Sequence, residues 1–168
     1  MFTHRGLSGP VILQISNYWS PGDVVVLDFL PEYSATDLLL AAKRSQPGQT
    51  LMATLNAYLP RSLVTLLLAG MADTSATLRL TDIRDAVLID LGDRLNHWHF
   101  KPAATEGYRT AEVTLGGIST DALNGKTFEA RRQPGLFFVG EVVDVSGHLG
   151  GYNFQWAWAS GFCAGQVA

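Results

Sequence analysis

"GEVVDVSGHLGGYNFQWAWASG", residues 140–161, sets five glycines and two tryptophans beside two carboxylates, Glu141 and Asp144. Glycine lets a backbone bend sharply or come close to a neighbour, and aromatic rings cover large flat surface. The combination points to a backbone pressed against a flat ligand. Just upstream, "PGLFFVGE" reads as an apolar strand that ends at Gly140 and Glu141. A loop with Asp144, Gly147 and His148 follows, and Gly150-Gly151 leads into "YNFQWAWASGFCAGQ", which reads as a helix. A strand, a glycine turn and a helix N-terminus make a device for binding an anion or dipole, because free N–H groups and the helix dipole converge there. Ala157, Gly161 and Gly165 recur every fourth residue and form a smooth stripe for close packing. On these residues alone, a plain tight turn with a packing helix stays open as the alternative.

The composition narrows the classes. A chain of 168 residues suits one domain or slightly more. The longest oily stretch, Leu63 to Met71, is broken by Thr65 and Gly70 and is too short to span a bilayer. No secretory signal pattern follows Met1. The single Cys163 leaves no internal disulfide and fits a reducing cytoplasm. Among late-helix small residues it reads as buried packing. The net charge is −3, and Arg131-Arg132 is the nearest thing to a basic cluster. Neither a nucleic-acid nor a membrane partner is expected.

Working outward, "GLSGP" at 6–10 reads as a turn with Ser8 as cap and Pro10 in the first helical turn. The helix it opens carries Val11, Ile12, Ile15 and Trp19 on one face. Residues 23–31, "DVVVLDFLP", read as a strand. Between Ser34 and Leu95 the period turns helical. Ser34 and Asp37 have capping-box spacing, Pro47-Gly48 and Pro60 punctuate, and a polar turn "ADTSAT" leads to a last helix. In that helix Thr81 is placed to cap, and Ile83, Val87, Leu88 and Leu91 form the stripe. "NHWHFKPA", "YRTAEVTLGGIS", "KTFEAR" and "GLFFVG" read as strands, with His97 and His99 as alternating, half-exposed strand residues rather than metal ligands. The whole predicts a mixed α/β chain of the α+β class, with its helices segregated.

Three segments carry a resemblance. "GLFFVGEVVDVSGHLGGYNFQWAWASG" resembles the C-terminal signature of the HI0933-like, or BaiN-like, FAD-dependent oxidoreductases of bacteria. "FTHRGLSGP", residues 2–10, is similar to a motif in the middle of those proteins. "AEVTLGGIS", residues 111–119, is similar to their strand with a Thr-x-Gly-Gly turn. The order matches, and the likeness extends over essentially the whole chain.

The resemblance implies a two-dinucleotide-binding-domain flavoprotein, whose Rossmann-like FAD domain is interrupted by a part-barrel, part-helical insert. Residues 1–105 would be the later portion of the insert, with a helical cluster at about 34–95, and 106–168 the C-terminal segment of the FAD domain. No G-x-G-x-x-G fingerprint for the FAD pyrophosphate occurs in this sequence. The chain is therefore expected to be a fragment of such an enzyme, inactive by itself and prone to self-association.

The resemblance also implies roles. Thr114, Gly116, Gly117, Gly140 and Glu141 would approach the cofactor from strand ends. The amides at Gly150, Gly151, Tyr152 and Asn153 would face the flavin's pyrimidine edge, where reduction places negative charge. Gln155 would contact the ring amide, and Tyr152 and Trp156 would wall the pocket. His4 and Arg5 are candidate catalytic residues from the insert side. Hydride would pass from NAD(P)H through FAD to a small molecule. The competing expectation is a non-enzymatic, self-associating module derived from such a flavoprotein.

Overall fold

The computed structural model describes residues 1–69 and 77–168. The predicted turn "ADTSAT" and the end of the Leu63–Met71 stretch lie outside the described residues, apart from Thr77. The architecture is α+β. Six α-helices are described: α1 (Pro10–Ile15), α2 (Ala35–Ser45), α3 (Leu51–Asn56), α4 (Arg61–Ala69), α5 (Asp85–Asn96) and α6 (Tyr152–Gly165). Among the described residues the sheet is one antiparallel pair, β1 (Val25–Leu27) with β2 (Trp98–Phe100), in register Val25 to Phe100 and Leu27 to Trp98. The chain divides into two compact units, residues 24–102 and residues 1–23 with 103–168.

The first unit holds α2 to α5 and the β pair. Its helices begin where side chains replace missing intrahelical partners. Ser34 Oγ accepts from the Asp37 N–H at 3.2 Å, and Thr50 Oγ1 accepts from the Ala53 N–H at 3.2 Å. Leu39, Leu51, Leu55, Val64, Leu80, Leu88, Leu91 and Leu95 close one apolar core. Val87 packs at its edge, so the α5 stripe faces inward as its period requires. α2 and α5 cross in very close contact at Gly92, where an added Cβ would lie 2.5 Å from Thr36 Cα. Asn96 closes the end of α5. Its side chain accepts from the Ala35 N–H at 2.8 Å and donates to Asp28 Oδ1 and to the carbonyls of Leu30 and Tyr33.

Several local expectations change here. Thr81 lies in a 3-10 turn, Leu80–Asp82, and α5 starts at Asp85 behind Arg84 with no side-chain cap. The strand expected over 23–31 keeps three paired residues, because β2 offers only three partners. His99 stands opposite Val26, while His97 is the C-cap of α5, paired with Asp93 at 3.1 Å. Both histidines are exposed.

The second unit holds α1, α6 and the connecting loops. α1 is capped by Gly9 rather than Ser8 and buries none of its residues; Val11 is 74% exposed. The strands expected over "YRTAEVTLGGIS", "KTFEAR" and "GLFFVG" are absent from the described secondary structure. Single bridges replace them: Ile118 to Val143, Leu123 to Ala130 and Glu129 to Phe137. Without a neighbouring strand to complete a ladder, their apolar residues yield turns and isolated pairs. α6 forms as expected, but its inner face runs through Trp156, Ser160 and Ala164, not through Gly161 and Gly165. Cys163 is only partly buried.

Candidate functional site

The 140–151 loop is fastened to α6 at its start. Gly140 opens a 3-10 turn, Gly140–Val142, instead of ending a strand. It is buried, and both sides of its peptide unit are bonded to α6. Its N–H donates to Ser160 Oγ at 2.9 Å, and its carbonyl accepts from Trp156 Nε1 at 3.0 Å. Ser160 in turn donates to the Trp156 and Ala157 carbonyls, so this fully buried hydroxyl is satisfied. Trp156 also meets Phe128 edge-on, with ring centroids 5.4 Å apart. Trp156 thus anchors the loop rather than walling an open pocket. Sequence reasoning misses Ser160; its signal is the four-residue step from Trp156 on the inner face.

The Thr-x-Gly-Gly turn is brought against the same loop. Ile118 N–H donates to the Val142 carbonyl at 2.8 Å, and Asp144 N–H donates to the Ile118 carbonyl at 2.9 Å. Asp144 Oδ1 accepts from the Gly116 N–H at 3.1 Å. Gly117 faces the loop backbone so closely that a Cβ would lie 2.5 Å from the Val142 carbonyl oxygen. Its neighbour there is protein backbone. Thr114 and Glu141 are exposed beside this junction.

At the far end of the loop Gly147 N–H donates to Asn153 Oδ1 at 2.7 Å, and Leu149 N–H donates to Gln14 Oε1 at 3.2 Å. Gly150 and Gly151 follow, and Gly151 is the N-cap of α6 at φ 90°, ψ 3°. No side chain caps this helix, and the first intrahelical bond runs from the Gln155 N–H to the Gly151 carbonyl. The amides of Tyr152, Asn153 and Phe154 precede it, at the positive end of a fourteen-residue helix. Beyond the adjoining residues, no atom lies within 4 Å of where a Gly151 Cβ would project. Tyr152, Gln155 and His148 are exposed around this end.

His4 and Arg5 lie in the turn closed by the Thr3 N–H to Gly6 carbonyl bond, where Arg5 pairs with Glu106 at 3.2 Å. Both partners of that pair are exposed, so its contribution is small. The structure thus gathers Gly116, Gly117, Gly140, Asp144 and the Gly150–Asn153 helix start around one loop.

The residues matched by a family of known description decide the class. Residues 1–113 match the HI0933-like protein barrel and H2TH domain. The chain belongs to the HI0933-like flavoprotein family. Relatives match nearly all of the chain. It is 47% identical over 166 residues to a ribosomal RNA dihydrouridine synthase of Haemophilus influenzae, covering 98% of this chain and 41% of that protein. It is 49% identical over 168 residues to a ribosomal RNA dihydrouridine synthase of Escherichia coli, covering 99% of this chain and 41% of that one. It is 32% identical over 175 residues to the 3-dehydro-bile acid delta(4,6)-reductase of Clostridium scindens, covering 99% and 42%. The chain therefore spans about two fifths of the length of these relatives. Among the described residues no helix is long and apolar enough to cross a membrane.

For an HI0933-like protein the fit to a flavin is partial and local. An uncapped helix start with open space before Gly151 suits the electronegative edge of an isoalloxazine ring. No G-x-G-x-x-G turn occurs within these 168 residues.

Proposed function

We propose that this protein works as an FAD-dependent reductase of carbon–carbon double bonds, acting on uridine in ribosomal RNA. The single observation that carries the reading is the 47% and 49% identity, over nearly the whole chain, to two ribosomal RNA dihydrouridine synthases. Dihydrouridine differs from uridine by one hydride and one proton added across the C5–C6 double bond. The 3-dehydro-bile acid reductase relative is named for a similar reduction of double bonds near a ketone. The shared chemistry is thus reduction of a double bond conjugated to a carbonyl.

In this reading the amides of Gly151, Tyr152 and Asn153 hold the pyrimidine edge of FAD, with Gln155 beside them. Gly116, Gly117, Thr114 and Glu141 approach from the adjoining turn, with Asp144 keeping the Gly116 amide in place. Bound there, FAD would provide hydride-transfer chemistry, with NAD(P)H as the source of reducing equivalents. The α6 N-terminus favours negative charge at the ring edge and so favours the reduced cofactor. His4 and Arg5 are the residues to test for substrate contact. An RNA substrate departs from the charge-based expectation, since a net charge of −3 carries no general attraction for phosphate.

A second reading, a steroid-like ketone as substrate, is supported by the 32% identity to the bile acid reductase. Mass spectrometry of ribosomal RNA nucleosides, from cells with and without the protein, separates the two. Loss of dihydrouridine that returns on re-expression supports the RNA reading. Unchanged dihydrouridine, with turnover of an unsaturated steroid ketone by the purified flavoprotein, supports the second.

A further inference from the structure

We infer that one end of the helical unit, carrying Arg44, Arg79 and Arg84, is a docking surface for the phosphate backbone of RNA; this rests on the RNA reading above. The chain from 43 to 51 is fastened to the chain from 78 to 85. Leu51 N–H donates to the Leu78 carbonyl at 3.1 Å, Leu80 N–H to the Gln49 carbonyl at 2.8 Å, and Thr81 N–H to the Pro47 carbonyl at 3.0 Å. Thr50 and Arg79 form an antiparallel bridge. At the end of α2, Lys43 Nζ donates to the Ile83 carbonyl and to Asp85 Oδ1, which brings α2's last turn to the residues on either side of Arg84.

Among the described residues this unit holds three ion pairs, the first of them at this end. Lys43 takes Asp85, Arg94 takes Asp90 and His97 takes Asp93. Arg44, Arg79 and Arg84 are exposed and have no carboxylate partner among the described residues. Asp82 also lies in this stretch, so among the described residues the end carries four basic residues against two acidic ones. The net charge of the whole chain conceals this local excess. A guanidinium is always charged and presents a fork of donors that matches phosphate oxygens. Interactions of that kind position a nucleic acid without reading its sequence. The phosphate backbone of a folded ribosomal RNA fits such a surface, whereas a small uncharged substrate gives it nothing to hold.

The test is RNA binding by the full chain, read as fluorescence anisotropy of a labelled, transcribed ribosomal RNA fragment over a salt series. One variant carries Arg44→Gln, Arg79→Gln and Arg84→Gln. A control carries Arg109→Gln, Arg131→Gln and Arg132→Gln, three basic residues of the other unit. Circular dichroism confirms that both are folded. Every arginine–phosphate pair that a substitution abolishes makes the slope of log K against log salt shallower by about 0.7 to 0.9. The first variant should therefore bind at least about tenfold more weakly at low salt, with a slope shallower by about 2, and the control should bind as the parent does. Equal weakening in both variants, no weakening in the first, or no RNA binding by the parent chain would overturn the inference. Equal competition by polyglutamate at matched charge would also overturn it, by showing a general anion surface. Dihydrouridine measured in the cell tests the RNA reading separately, so a failed surface with a positive nucleoside assay leaves that reading standing.

Discussion

Gly151 and Gly117 are both glycines in a signature loop, yet the structure gives them different reasons. Gly151 sits at φ 90° with open space where a side chain would go. Alanine there costs about 1–2 kcal/mol of backbone strain and meets no protein atom. Gly135 is a matched control, at φ 79° and equally open. Gly151→Ala and Gly135→Ala should therefore lower the melting temperature alike. In the complete flavoprotein Gly151→Ala should also lower the flavin-to-protein absorbance ratio, while Gly135→Ala keeps it. Equal flavin content in both would remove the ring edge from this helix start. Gly117 is different, because its Cβ would press on the Val142 carbonyl. Gly117→Ala should destabilise by about 1–3 kcal/mol in urea unfolding, through overpacking whether or not flavin is present.

At the scale of elements, the packing of α2 on α5 depends on Gly92 and Asn96. A methyl group at Gly92 would meet Thr36 backbone, which cannot yield as a flexible side chain can. Gly92→Ala should cost about 1–3 kcal/mol despite alanine's better helix propensity, which favours it by about 1 kcal/mol. An exposed-helix glycine would show the opposite sign, so a stabilised variant would contradict the observed crossing. Asn96→Ala removes the acceptor of the Ala35 N–H and one donor each from Asp28 Oδ1 and the Leu30 and Tyr33 carbonyls. The expected loss is about 1–3 kcal/mol, measured as a shift in the denaturant midpoint at unchanged slope.

At the scale of the molecule, burial is uneven. The unit of residues 24–102 holds the large leucine-rich core. In the other unit the buried apolar side chains are Leu123, Val143 and Ala164. Its α6 turns Phe154, Trp158 and Phe162 outward at 73%, 76% and 70% exposure. These three repeat every fourth residue and form one aromatic face. Apolar faces of this kind find partners, so the chain alone should self-associate at tens of micromolar in sedimentation velocity. Phe154→Ser with Trp158→Ser and Phe162→Ser should return it to monomer; a monomeric parent chain would contradict the expectation. The chain alone should also bind FAD weakly, for want of a pyrophosphate cradle, and submicromolar affinity by flavin fluorescence quenching would overturn that.

What the sequence determined by itself is local. Ser34 beside Asp37, Pro47-Gly48 and Pro60 set the helical cluster, because caps and proline act within one turn. The long 140–161 signature marked the final helix and the family for the same reason: its information is contiguous. The tertiary structure alone decided the rest. The apolar run of "GLFFVG" is a strand only if a neighbour completes its ladder, and here the pairing stops at single bridges. Likewise Ser160 holds Gly140, Gln14 holds Leu149, and Gly117 needs its missing side chain because of Val142. In each case the partner is twenty or more residues away, and side-chain periodicity carries no record of which distant backbone will arrive.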